Sequence, residues 1–537
     1  MKAETPEVST PSSPASAEGQ AATTEAKVPK PKPPAPKPPT LDEIKEKLDE
    51  KGLKALQKLE AKVFACDKQT ASATTTGNEA FAEKASACSQ LRALLGDNYR
   101  YYMLERFKYQ KSHAARWALA GEVLAVASPR GDDEFLTSEA HVRPLGGLDK
   151  VELVAVLDRL RQWKKWSPTL PLTPAWCEAA AQLQDQNPQP NTKLHAEAKV
   201  VEKVLGLFKE VQESLPKQLN KKATDSIKRF KQEVEIIGHQ STTGIAWTQA
   251  TWNPLHGCKW KSDGCDNCYA AQLMATRMQP RYPGLAEAGL VKGKKSYLFT
   301  GTILLDPKDL AEPLADKSPK RYFVNSMSDL FHVGVSEDYI NAVFDVMERA
   351  WWHQYQILTK RPERMAKYSQ KRYANRTPPP HIWLGTTVEN QKAFNDRVEH
   401  LAATKTAVPW LSCEPLIEAI DFGDKRPAAW VVVGGESDSD RKMEAQWATS
   451  LRDQCKELGV TFFFKQWGDF NEAGEKAKMK KDDFKVLPTL DGVAYDDYPM
   501  SMNLDVIKQA GEAKDVDERW KLLSGCLISA KPKPAKR

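Results

Sequence analysis

Trp430-Val431-Val432-Val433-Gly434, followed at once by Gly435-Glu436-Ser437, is the stretch that decides the fold. Its first five residues offer no polar position, so neither face of a strand built from them is suited to water. Strands of this kind lie in parallel sheets covered on both sides. Five further runs share the texture: Tyr322–Met327, Tyr355–Thr359, Ile382–Thr386, Trp410–Glu414 and Thr461–Lys465. Between them come helical periodicities at Ser336–Ala350, Pro362–Tyr373, Gln391–Ala403 and Met443–Leu458. Strand and helix alternate, which predicts a parallel sheet, open or closed as a barrel.

Polar residues gather directly after each strand. They are Asp329, then Lys360 and Arg361, Glu389 and Asn390, Glu414, Gly434-Gly435-Glu436, and Lys465. In a parallel barrel these belong to the loops at the C-terminal ends of the strands, where sites are built. Any one of them reads equally well as a helix cap; six in succession predict a pocket. Lys360, Arg361 and Lys465 would set a positive rim suited to an anionic or phosphate-bearing substrate. Arg361 has a structural alternative, pairing with Asp329 or Glu363. Glu389, Glu414 and Glu436 would accept hydrogen bonds from a ribose or an amino group.

Upstream lies His256-Gly-Cys258-Lys-Trp-Lys-Ser-Asp-Gly264-Cys265-Asp-Asn267-Cys268-Tyr269. Three of the nine cysteines fall here, spaced C-x6-C-x2-C, and no secretory signal accompanies them. Such thiols are better metal ligands than disulfide partners. Three cysteines on one loop can hold three irons of a four-iron cluster, the fourth iron staying open. Alternatively His256 could close a Cys3His zinc site. Three buried thiols without metal are the third reading. If Ile245-Ala-Trp-Thr248 is the first strand, the loop joins the same rim. A divalent-ion nuclease or hydrolase using Asp329, Glu389, Glu414 and Glu436 lacks a recognised spacing.

The 537 residues exceed what one core usually serves, and a formal charge of +7 permits nucleic-acid binding without arguing for it. No run of eighteen apolar residues occurs, so the expectation is a cytoplasmic protein with no membrane span. Residues 1–40, rich in Ser, Thr, Ala and then Pro-Lys repeats, predict a disordered arm. Residues 41–166 read as helical and 167–243 as a hinge with a charged helical connector over Leu194–Glu235. Residues 244–470 form the β/α domain, and 471–537 an extension with a basic tail, also disordered. Within the helical part, Tyr101–Glu122 predicts a helix-turn-helix whose second helix offers Lys111, Ser112, His113 and Arg116 to DNA.

Two resemblances add to this. Ser138, Glu139, His141, Arg143, Pro144 and Leu145 resemble the element that follows the helix-turn-helix of ParB-like partition and phage proteins, which implies DNA binding through the N-terminal region, with Arg143 among the contacts. The second resemblance covers about 244 to 470. Trp247-Thr-x-Ala-Thr-Trp-Asn-Pro254, the cysteine loop, Met327-Ser-Asp-Leu-Phe331, Gln356-Ile-Leu-Thr-Lys-Arg-Pro362, Val388-Glu-Asn390, Leu411-Ser-Cys-Glu-Pro-Leu416, Gly434-Gly-Glu-Ser437 and Phe462-Phe-Phe-Lys-Gln-Trp-Gly468 resemble a phage-associated three-Cys-motif family. That family is similar to radical S-adenosylmethionine enzymes, which implies an α/β fold with a partial (β/α) barrel. By that resemblance Cys258, Cys265 and Cys268 hold a four-iron cluster and the open iron binds S-adenosylmethionine, with Gly434-Gly435-Glu436 as a cofactor-binding element. With the N-terminal region as a targeting module, the expected substrate is a nucleic acid or nucleotide-like molecule, and a partner protein encoded nearby is a further possibility.

Overall fold

A computed structural model describes residues 38–70, 77–132, 134, 136–185, 187–190, 243–476, 488–502 and 504–528. The Pro-Lys arm up to residue 37, the connector helix expected at 194–235 and the basic tail from residue 529 lie outside the described residues. The chain begins with helices α1 (Leu41–Lys45), α2 (Glu50–Thr70), α3 (Gly77–Leu95), α4 (Tyr99–Phe107), α5 (Lys111–Ala127), α6 (Glu139–Val142), α7 (Lys150–Trp166) and α8 (Pro174–Gln182). Thr40 starts α1 and Asp149 starts α7, each through a capping box closed by the glutamate three residues on.

Helices α4 and α5 are separated by Lys108, Tyr109 and Gln110, and α5 is the centre of the helical region. Its Ala114, Ala118, Ala120, Gly121, Val123, Leu124 and Ala127 are buried. At Gly121 a Cβ would stand 2.1 Å from the Ala85 carbonyl oxygen of α3. Small residues let the two helices approach this closely, and only the first turn of α5 and scattered later positions reach solvent.

The β/α part contains β1 (Ala250–Trp252), β2 (Leu255–His256), α9 (Tyr269–Ala275), β3 (Ala286–Val291), β4 (Lys294–Phe299), β5 (Leu304–Leu305), α10 (Glu312–Ala315) and β6 (Arg321–Val324). It continues through α11 (Glu337–Arg349), β7 (Gln354–Thr359), α12 (Pro362–Arg372), β8 (Ile382–Thr387), α13 (Gln391–Ala402), β9 (Val408–Cys413), β10 (Trp430–Gly434), α14 (Ala445–Leu458) and β11 (Thr461–Gln466). The short β12 (Thr489–Leu490), β13 (Val493–Ala494), α15 (Leu504–Gly511) and α16 (Val516–Ser524) follow.

Seven strands make one sheet in the order β1-β6-β7-β8-β9-β10-β11, parallel throughout. β1 and β11 are its two edges, so the fold is a parallel half-barrel. The first strand differs from the expected Ile245–Thr248: that segment is a turn, and the strand starts at Ala250. The reason is Trp247, whose indole turns into the barrel and packs edge-on against Phe323 at 4.7 Å and Trp410 at 5.4 Å. A strand there would have pointed successive side chains to opposite faces. Gly385 leaves the room that Trp410 fills, since a Cβ would lie 2.4 Å from the indole nitrogen.

Ile44, Val63, Cys88, Leu91, Tyr102 and Ala114 pack into a small core among the first five helices. One continuous core runs from Phe81 of α3 through the sheet to Leu523 of α16. Ser167 Oγ donates to the Leu305 carbonyl at 2.5 Å, Trp166 packs edge-on against Tyr339 at 5.0 Å, and Arg349 Nη1 donates to the Leu183 carbonyl at 2.8 Å. Beyond residue 470, Phe464 N–H donates to Tyr495 O at 2.8 Å, which covers the outer edge of β11. No helix among the described residues is long and apolar enough to cross a membrane.

Candidate active site: a cysteine loop clamped to the barrel rim

The cysteine loop leaves β2 through Gly257, whose φ of +94° is open to glycine and costly for other residues. A Cβ there would also stand 2.1 Å from the Thr302 carbonyl oxygen. The loop makes a 3-10 turn at Asp263–Cys265 and ends at Cys268, which precedes α9. Between those points it lies across the C-terminal ends of the central strands.

Three arginine–carboxylate pairs hold it there. After β6 and β7, Arg361 Nη1 bonds Asp329 Oδ2 at 2.6 Å while Nη2 donates to the Lys259 carbonyl at 3.2 Å. After β8, Arg397 Nη1 bonds Glu389 Oε2 at 2.8 Å while Nη2 donates to Ser262 Oγ at 2.8 Å. After β10, Arg441 Nε bonds Glu436 Oε2 at 2.6 Å while Nη2 donates to the Asp263 carbonyl at 3.0 Å. Asn267, next to Cys268, donates to Glu436 Oε2 at 3.0 Å. Each planar guanidinium satisfies a buried carboxylate and still spares an N–H for the loop.

Among the rim residues expected to meet a cofactor, Asp329, Glu389 and Glu436 are engaged by these arginines, and the others have separate partners or none. Asp329 accepts from Thr359 Oγ1 at 2.7 Å and from the Phe331 N–H at 2.9 Å as well as from Arg361. For Glu389, burial opposes ionisation, but Arg397 and Lys360 outweigh it and hold the carboxyl below its ordinary range. Asn390 caps α13, accepting from the Ala393 N–H at 2.8 Å. Gly434 and Gly435 serve close packing: a Cβ on Gly435 would stand 2.2 Å from the Trp467 carbonyl oxygen, and one on Gly434 2.9 Å from Glu414 Oε1. Lys465 bonds Glu414 at 2.8 Å, and Trp247 Nε1 reaches the other oxygen of Glu414 at 3.2 Å. Lys360 has no ion-pair partner among the described residues.

Two of the three thiols are held protonated by their surroundings. Burial pushes Cys258 up to about 12, with Asp329 adding to the rise and Arg361, 3.9 Å from the sulfur, opposing it. Cys268 is raised by burial too, against backbone N–H groups of Ala271 and Ala270 and the charge of Lys360. Both keep some solvent-accessible surface. Next to them Tyr269 is 44% exposed and donates to the Ser326 carbonyl at 2.9 Å. Among the described residues no three His, Cys, Asp or Glu side chains form a set that could hold a single metal ion. His256, the expected fourth zinc ligand, turns away: it packs on Tyr282 at 4.1 Å and faces Asp309 at 3.7 Å. It is fixed in that direction by the pairing of β2 with β5.

The residues expected to contact DNA lie far along the chain, on the helical region. Lys111 and Ser112 are exposed, with the Lys111 ammonium 4.4 Å from the Tyr101 ring centroid. His113 stacks on Tyr109 at 4.8 Å and accepts from Trp117 Nε1 at 2.7 Å. Arg116 and Arg143 both face Glu139, at 3.6 Å and through a two-pronged pair. His141 bridges Ser138 Oγ at 2.8 Å and the Leu172 carbonyl at 3.3 Å, so the His-x-Arg-Pro-Leu element works as a joint between α6 and the segment before α8.

Half-barrel, loop and clamps all fall within one span of the chain. Residues 242–499 match a family model described as a protein of unknown function, DUF5131. No curated protein and no solved structure matches the chain. The DUF5131 span ends beyond β13, in keeping with the C-terminal segment that covers the edge of β11.

Sequence reasoning missed Arg397, Arg441, Ser262 and Trp260. A signal was available for the first two. Glu389 and Glu436 follow apolar strands, so they enter a buried layer and need a cation within reach. Arg397 stands about two helical turns past Glu389, and Arg441 follows Glu436 in the same loop.

Proposed function

We propose that the chain is an iron–sulfur enzyme of the radical S-adenosylmethionine kind, acting on a nucleic acid or nucleotide-like substrate. The observation that carries this reading is a three-cysteine loop pinned at three points across the C-terminal rim of a parallel half-barrel, the face where barrel sites are built. Three cysteines on one loop suit a four-iron cluster with one iron left open. Zinc needs its sulfurs converging at about 2.3 Å from a single point, and His256 is turned elsewhere. In a four-iron cluster each thiolate serves a different iron. When bound, cluster and S-adenosylmethionine would supply one-electron chemistry that side chains lack.

The chain's own residues prepare the site. Cys258, Cys265 and Cys268 bind as thiolates, so loading releases the protons that burial retains on Cys258 and Cys268. Arg361 orients Cys258 and offsets its negative charge. Lys360 offers an unpaired ammonium to an anionic group. Glu414, bridged to Lys465 and Trp247, sets the polar floor above the tryptophan-filled interior. A cytoplasmic location, a phage or mobile-element setting and a partner encoded nearby belong to the same reading. Any DNA contact by the helical region would rest on Lys111 and Ser112, because Arg116 and Arg143 are committed to Glu139.

Iron and sulfide content with an absorption spectrum, on protein purified without oxygen, tests this. About four irons per chain and broad visible absorption, both lost in Cys258→Ala/Cys265→Ala/Cys268→Ala, are expected. Turnover of S-adenosylmethionine is the next assay. One zinc and no sulfide would refute the reading and leave the loop a structural clasp.

A further inference from the structure

Beside the cysteine loop lies a half-open groove of about 940 Å³, walled by the loop, by Phe331–Val333, by the start of α12 and by one face of α13. Its size is at the upper end of the roughly 300–1,000 Å³ typical of ligand pockets. Eight Lys and Arg against four Asp and Glu line it. What matters is which charges are already spent. Arg361 and Arg397 belong to the clamps, Lys367 pairs with Glu363 at 2.7 Å, and Lys392 pairs with Asp396. Arg364 donates to the carbonyls of His332 and Val335. Among the described residues this leaves Lys259, Lys261 and Lys360, all lining the groove, with no ion-pair partner. Glu363 and Asp396, which feel the charge of Lys261, are already paired with Lys367 and Lys392, and Asp263 with Lys292.

Trp260 stands between the two loop lysines and is 44% exposed. Its indole N–H is donated to Asp266 Oδ1 at 3.0 Å, and Asp266 is itself held by Lys292 at 2.9 Å. With its edge fixed, the ring has a face left to offer and no donor. Val333, 84% exposed, adds an apolar wall. Unpaired point charges bracketing a rigid aromatic face are what a single-stranded nucleic acid uses: ammonium groups follow the phosphates and the ring stacks a base. An acidic peptide would use the charges but leave the aromatic face idle.

We propose that this groove binds single-stranded nucleic acid, with Lys259, Lys261 and Lys360 on phosphates and Trp260 stacked on a base. The strand would pass beside Cys258, which Lys259 follows directly in the chain. The proposal specifies the substrate class of the function proposed above and rests on that reading, but binding itself requires no iron.

The test is binding of a fluorescent single-stranded oligonucleotide, as DNA and as RNA, to the full chain at several salt concentrations. Lys259→Glu/Lys261→Glu is expected to weaken binding at least tenfold and to flatten the salt dependence by about 1.4 in slope, two contacts at about 0.7 each. Trp260→Ala should weaken it roughly 5- to 150-fold, the range for one stacked base, with an unchanged salt slope. Trp260→Phe, which keeps a ring, should recover most of the loss and separates stacking from a disturbed loop. The same measurement on Cys258→Ala/Cys265→Ala/Cys268→Ala separates the two proposals. Lysine-dependent binding without the cysteines supports the groove whatever metal the loop carries. Absent binding, binding indifferent to the lysine changes, or equal displacement by polyglutamate overturns it, even if iron and sulfide are found.

Discussion

Arg397→Met puts the clamp to a quantitative test. The Glu389 carboxylate is 1% exposed and accepts from the Arg397 guanidinium at 2.8 and 3.4 Å. Methionine keeps much of the apolar stem and removes the charge. Breaking a buried pair from one side costs about 3–5 kcal/mol, because the remaining charge is stranded. The charge of Lys360 and the hydroxyl of Ser262 soften this, which favours the lower end, about 3 kcal/mol. In the wild type Glu389 sits below its ordinary range, so the pair's stabilisation is present above about pH 4.3 and fades as pH falls through the lower folded value. In Arg397→Met burial prevails, the folded carboxyl titrates above its unfolded value, and the penalty shrinks on acidification. Glu389→Gln/Arg397→Met removes the stranded charge and should recover most of the loss. Urea denaturation at neutral and mildly acidic pH measures each arm, and amide hydrogen exchange over residues 257–268 reports the loop. A single variant as stable as wild type, or a double variant no better than the single, would refute the clamp.

Gly257→Ala combines a positive φ with a Cβ 2.1 Å from a backbone oxygen, so it should cost several kcal/mol and abolish metal loading. Gly147→Ala, with nothing within 4 Å, should leave both unchanged, as thermal melts and iron content would show. His381 is buried, lies 4.9 Å from the Trp520 ring, and bonds the Met347 carbonyl at 3.0 Å. Burial lowers its pKa to about 4, so its neutral form contributes stability above about pH 6.5 that is lost as pH falls from there towards 4. Full loss is about 3 kcal/mol; His381→Phe should move the acid-unfolding midpoint to lower pH while changing neutral stability by about 1 kcal/mol.

The architecture was legible where burial on both faces forces a pattern. β7, β8, β10 and β11 lie within a residue of the runs Tyr355–Thr359, Ile382–Thr386, Trp430–Gly434 and Thr461–Lys465. β1 was not, because three residues carry too little pattern and Trp247 imitates a strand while plugging the barrel. The hairpin of β3 and β4 escaped for the opposite reason. Most of its positions meet solvent, so no buried face marked the chain.

The rim shows a more general limit. Of the two expectations for Arg361, pairing with Asp329 is present, whereas Glu389 and Glu436, expected as acceptors for a ligand, each take an arginine that also grips the loop. Sequence displays the acid but not the distance to its cation, and a buried carboxylate is settled by that distance. The consequence is a division of labour. The loop's position is fixed by side chains rooted after β7, β8 and β10, so it follows the curvature of the sheet; the cysteines are carried by it. If the loop holds the cluster proposed for it, replacing a cysteine should remove metal and leave the loop's hydrogen exchange protection, whereas replacing Arg361, Arg397 or Arg441 should loosen the loop first and lose metal as a result. The order of those two effects distinguishes a loop built by the barrel from one built by its metal.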